Sequence, residues 1–296
     1  MSLKRVFLFL IIIILPIFAL FSNTNREYIT VDFFGTQINW TDFEVNLPVV
    51  ERIPRVIIDN KSSDYGNENT AFNISEARNK AQLKAREKIS LQIVRSIETI
   101  RIDDESTIIK KIQSDEFFRE RINEFFQLEK SELKITYIAD RVNVDSVMKL
   151  KGKDGLLSFL PIEYGTEDFP EISGKSIVKP VDYTGLIVDA RHLEAEPSLL
   201  PRIVTERGLD IYSYHFVNKN HAIDKGLVSF QTDPKAAMES QRVGKNPYYV
   251  LALTTVGRKK TGFSLSTEDS MKLLASHKTR NSLKKCNVII LLPEKQ

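Results

Sequence analysis

The side chains best placed for chemistry are Asp189, Arg191 and His192. An acid, a guanidinium and an imidazole here follow the apolar run 185–188, and the carboxyl end of a strand is where α/β proteins gather their sites. Such a set can move protons if a nucleophile or a metal stands opposite it. The sequence names neither. A second reading needs neither: Asp189 and Arg191 form an ion pair that fixes the chain as it leaves a sheet. We treat the three as a candidate functional cluster and assign no catalytic, cofactor-binding or metal-binding residue.

The other reactive side chains are scattered. No two of His192, His215, His221 and His277 stand at the spacing that would present them together to zinc on one helix. His215 and His221 flank 216–220, which reads as a loop. Asp103, Asp104 and Glu105 suit the start of a helix, whose partial positive charge they complement. The one cysteine, Cys286, leads into an apolar strand and reads as a small buried hydrophobe. A single cysteine also excludes an internal disulfide. Gly-rich phosphate loops, His-Glu-x-x-His, Gly-x-Ser-x-Gly and Cys-x-x-Cys are all missing, so neither an enzyme class nor a cofactor is expected.

The elements that would carry these residues fall into two regions. Residues 28–162 read as an α+β domain, an antiparallel sheet with two packed helices. Strands are expected at 28–34 and 52–59, and residues 62–69 form a polar turn. A helix capped by Asn73 or Ser75 runs to about Ile97, with Ala77, Ala81, Ala85, Ile89 and Ile93 on one face. A second helix spans 104–127, and a hairpin follows at 133–150. Residues 163–182, with Pro170, Gly174 and Pro180, read as a linker or a long surface loop. Residues 183–296 form a mixed α/β domain. It has strands at 185–190, 199–205, 209–212, 226–230 and 288–292, and a continuous, central apolar strand at 248–256. Helices begin at Pro234, after the cap Asp233, and at Ser266 or Thr267.

The N-terminus carries a different signal. Lys4 and Arg5 precede an unbroken apolar run from 6 to 15, extended to Phe21. Positive first and apolar next is the order of a secretion signal, and the run is short for a full span. Residues 1–22 are therefore expected to be a signal peptide or an uncleaved anchor, with cleavage after Ser22. Without Lys4 and Arg5 the net charge falls from +3 to +1. A nearly neutral body does not suggest nucleic acid. Membrane contact would come only through residues 1–22, if they are retained. No cysteine stands near the cleavage site to take a lipid.

The stretch Tyr183-Thr184-Gly185-Leu186-Ile187-Val188-Asp189-Ala190-Arg191 resembles a strand of bacterial envelope proteins in the FlgT-like and Lpp-type lipoprotein-like group. Pro197-Ser198-Leu199-Leu200-Pro201-Arg202-Ile203, Asn246-Pro247-Tyr248-Tyr249-Val250-Leu251-Ala252 and Ser266-Thr267-Glu268-Asp269 follow in the order of that group. Upstream, Ile38-Asn39-Trp40 and the Ala-Arg helix from Glu76 to Ala85 resemble its opening. His192 stands where the group has glycine. The resemblance implies a non-enzymatic protein of the periplasm or envelope acting through contacts with other envelope or flagellar proteins, in a flagellar structure or motility. A periplasmic module binding a small ligand between the two regions is the alternative. A hydrolase using Asp189 and His192 is a third reading.

Overall fold

The computed structural model describes residues 27–33, 35–55, 70–128, 132–172 and 179–294. The fold is α+β, as the sequence suggests. The first half contains β1 (Ile29–Val31), β2 (Gln37–Asn39), β3 (Glu44–Arg52), α1 (Ala71–Thr99), α2 (Ile108–Ser114), α3 (Glu116–Leu128), β4 (Glu132–Ile138), β5 (Arg141–Lys149) and α4 (Leu156–Phe159). Its strands form one antiparallel sheet in the order β1-β2-β3-β5-β4.

The centre of this sheet is the nine-residue pairing of β3 with β5, from Glu44 opposite Lys149 to Arg52 opposite Arg141. Val45, Leu47 and Val49 point inward with Val142, Val144 and Met148, while alternate residues face water. This period of two gives the sheet one apolar and one solvated face. Helix α1 covers the apolar face with Ala77, Ala81, Ala85, Ile89, Ile93 and Ile97, all buried. The alanines let the helix lie close to the strands. Glu51 also points inward, and Lys84 and Lys88, one helical turn apart on α1, both pair with it.

The second half contains β6 (Gly185–Asp189), β7 (Ile203–Thr205), β8 (Asp210–Tyr212), α5 (Lys219–Lys225), β9 (Ser229–Gln231), α6 (Pro234–Glu239), β10 (Pro247–Leu251), β11 (Thr254–Val256), β12 (Gly262–Leu265), α7 (Thr267–Leu274), α8 (His277–Lys284) and β13 (Val288–Leu291). Strands β10-β6-β13-β9 form a parallel sheet, and β11-β12-β7-β8 form a mixed one. Every residue of β6 and β13 is buried. Continuous apolar runs of this kind belong to parallel strands covered on both faces.

The halves share one apolar core. Trp40 packs edge-on against Phe43 and against Phe230 of β9. The Thr41 hydroxyl donates to the Phe230 carbonyl at 2.5 Å, and the Ser229 hydroxyl donates to the Thr41 carbonyl. The Leu199 and Leu200 N–H groups donate to the carbonyls of Arg101 and Ile102, and Asp104 accepts from Arg202 at 2.8 Å. Residues 163–172 are a packed strap rather than a free linker. Phe169 stacks on Phe216, and Gly165 and Glu167 donate backbone hydrogen bonds to Tyr214 and His215.

Several local expectations change. The strand expected at 52–59 lies earlier, in β3; residues 53–55 are not strand, and 56–59 fall outside the described residues, as do the turn at 62–69 and residues 1–22. Pro48 obscures β3, yet beyond Asn46 β5 is the one strand beside it among the described residues, so a missing N–H is tolerated there. Thr70, not Asn73 or Ser75, caps α1, accepting from the Asn73 N–H. The helix expected at 104–127 is two helices broken at Asp115, whose side chain caps the second by accepting from the Phe118 N–H. Asp103 holds a turn by accepting from the Glu105 and Ser106 N–H groups, and Thr107 is the cap of α2. The 216–220 loop is largely a 3-10 turn over Tyr214–Phe216 and the start of α5. The single central strand at 248–256 is two strands in two sheets. Ala252 bonds to Asp189 of one sheet and Leu253 to Ser264 of the other, and β10 lies at an edge.

Candidate functional site

Asp189 is the last residue of β6, and only about 6% of its surface is exposed. Four donors converge on its carboxylate. The Arg191 backbone N–H and Nε reach Oδ1 at 3.1 and 2.9 Å, Arg191 Nη2 reaches Oδ2 at 2.7 Å, and the Tyr249 hydroxyl donates to Oδ2 at 2.5 Å. A carboxylate offers about four lone-pair positions, so these donors saturate it. Burial opposes its ionisation, but the hydrogen bonds from Arg191 and Tyr249 outweigh that and hold the carboxyl down at about 2. Burial and the bond to Asp189 push the Tyr249 phenol up to about 12. A saturated acid of this strength makes a poor proton acceptor near neutrality.

The structure thus brings Asp189 and Arg191 together, as the ion-pair reading expects. It does not add His192, which is exposed in the turn after β6; among the described residues no hydrogen bond or ion pair joins it to the other two. The sequence reading missed Tyr249. Strand β10 pairs in parallel with β6, setting Tyr249 opposite Ile187 and Leu251 opposite Asp189. Residues 60 positions apart meet only through that pairing. The aromatic repeat Tyr248-Tyr249 in an otherwise aliphatic strand is the one sequence signal that marks it.

The surroundings of the cluster are apolar and open. Ala252 N–H bonds to the Asp189 carbonyl, so the even residues of β10 face β6 and the backbone groups of Tyr249 and Leu251 turn to the sheet edge. Tyr249, Leu251 and Leu253 are 39%, 56% and 48% exposed. The side of the sheet carrying Ile187, Ile289 and Leu291 is covered by the short helix α6 through Ala237, with Val243 beside it. Met238 of α6 is also exposed. The remaining histidines stand apart: His215 bonds to Thr166 and His277 to Asn281. Among the described residues no group of three or more His, Cys, Asp or Glu could hold a metal ion. No described helix is long and apolar enough to cross a membrane.

The parallel sheet of the second half therefore ends in a fixed Asp–Arg–Tyr cluster beside a strand that lies at the edge among the described residues. Residues 185–294, well under half of the chain, match the family model described as Treponema pallidum Tp0624, second domain. The match begins on the first residue of β6 and ends after β13, so the cluster lies within it. No curated protein matches the chain.

Proposed function

We propose that this chain is an exported, envelope-associated accessory protein that works through protein–protein contacts and carries out no reaction. The observation that carries this reading is the edge of β10. Tyr249 and Leu251 of β10, and Leu253 just after it, are exposed with no charged residue among them; Pro247 blunts only the start of this edge, and an edge strand without charge along the rest is open to pairing. Beside them Arg191 is fixed by Asp189. Tyrosine and arginine held rigidly next to aliphatic side chains are typical of contact hot spots. The positive and then apolar N-terminus supports export. The resemblance to FlgT-like and Lpp-type envelope proteins points to a flagellar or motility setting.

The test is affinity capture from envelope fractions with the full-length chain and with Leu251→Glu/Leu253→Glu. The expected result is a discrete envelope partner held by the parent and lost by the variant, with melting temperatures within about 2 °C of each other because both positions are exposed. Deletion of the gene should impair motility or envelope integrity. A freely soluble protein that captures no envelope partner, with normal motility and envelope after deletion, would overturn the reading.

A further inference from the structure

A cavity of about 360 Å3 opens where the two halves meet, lined by Lys151, Asp224, Lys225, Gln241 and Arg242. Lys151 lies in the turn after β5, Lys225 ends α5, and Arg242 stands between α6 and β10. The Gly152 N–H donates to the Ile223 carbonyl at 2.7 Å and ties the first wall to the second. Three cations face one carboxylate, so the lining is electropositive.

None of the three cations is neutralised by an ion pair among the described residues. Arg242 Nη1 and Nη2 donate to the carbonyls of Lys225 and Gly226 at 2.8 and 2.7 Å, which caps the end of α5, while its Nε is enclosed without an acceptor. A guanidinium has five N–H donors, so capping leaves part of it unused. Among the described residues Lys225 Nζ reaches only the Lys285 carbonyl and Asn287 Oδ1, each at 3.5 Å. Burial lowers the basicity of Lys151; Asp42 favours its charge, Arg242 opposes it, and Glu44 favours it. Burial also lowers the basicity of Arg242. Asp42 and Glu44 offset the charge of Lys151 in part, while Lys225 and Arg242 have no carboxylate partner among the described residues; a partly desolvated cation in that position is costly, and a bound anion offsets the cost.

We infer that this cavity binds a small oxyanion, a phosphate or carboxylate group, between Lys151 of the first half and Lys225 and Arg242 of the second. Ammonium groups supply point charge and the guanidinium supplies directed donors, the usual pairing for such groups. The site lies apart from β10 and does not depend on the contact function proposed there.

The experiment is thermal unfolding of the full-length chain in inorganic phosphate, sn-glycerol 3-phosphate, succinate or chloride at constant ionic strength. At least one oxyanion should raise the melting temperature saturably, by about 5 °C at 100 times its dissociation constant. Lys151→Met and Lys225→Met, each melting like the parent in chloride, should weaken the effect at least tenfold. Should either variant fold poorly, Lys151→Gln and broadening of the phosphate phosphorus resonance by the parent chain supply the same comparison. Tighter binding of glycerol phosphate than of phosphate assigns a lipid-headgroup source; equal binding assigns free phosphate; a response to succinate alone assigns a carboxylate. No rise with any of them, or the same rise in parent and variants, would overturn the site.

Discussion

At the residue scale, Asp189 behaves as a structural anchor. Its folded acidity of about 2 lies below the ordinary aspartate value of about 3.9. A lowered folded value means that the stabilisation is complete above pH ~4 and is lost as pH falls toward 2. The difference corresponds to on the order of 2 kcal/mol. Asp189→Asn should therefore cost about that much at pH 7, and denaturant unfolding at pH 2 should show the parent and variant drawn together. His192→Ala should change stability by less than about 0.5 kcal/mol, since its side chain is exposed. Cys286 is the second instructive residue. It is fully buried, burial pushes its thiol up to about 11, and it occupies a left-handed backbone position (φ +59°) just after α8. A thiol reagent at pH 8 should leave the folded protein unmodified and label one group per chain after denaturation.

At the element scale, short polar contacts decide where the elements begin and how they seat. Thr70 satisfies the Asn73 N–H at the start of α1, so Thr70→Ala should cost about 1 kcal/mol in denaturant titrations. Glu51 is the inward-facing acid of β3. Burial resists its charge, but Lys88 and Lys84 outweigh that and hold its carboxyl below the usual range. Both lysines are about half exposed or more, so Glu51→Gln leaves no cation buried. The expected loss is about 1 kcal/mol, shrinking at high salt. Strand β10 shows the opposite case, an element whose composition suits a buried position and whose place in the sheet exposes half of it.

At the scale of the whole molecule, the shared core makes the two halves depend on each other. Trp40, the chain's only tryptophan, lies between Phe43 and Phe230 and reports on that junction. Its fluorescence and the circular dichroism of both halves should follow one coincident unfolding transition, and two separate transitions would show that the halves unfold independently. Gly257 tests the same junction from the surface. It has φ +79°, and a Cβ there would overlap the side chain of Asp104, the partner of Arg202. Gly257→Ala should lower stability by roughly 2–4 kcal/mol, through backbone strain together with a displaced buried acid.

Much of the fold was legible along the chain. The alternation in 141–149, the alanine stripe of α1 and the apolar runs at 185–189 and 288–291 set periods of two, about 3.6 and continuous burial, and each became the element those periods demand. The cap Asp233 also lies where the sequence places it, and Ser266 is one of the two caps, Ser266 or Thr267, that the sequence offers, because capping is a contact between near neighbours. What only the tertiary structure decided depends on pairings between distant segments. The register of β10 on β6 brings Tyr249 to Asp189, the crossing at Ala252 splits one apolar run between two sheets, and the Trp40–Phe230 contact fuses regions that read as separate. None of these leaves a local period, because the energy that fixes them comes from side chains many residues away. The cluster at Asp189 was therefore visible as a pair, while its third member and its open apolar edge emerged only once the strands were in place.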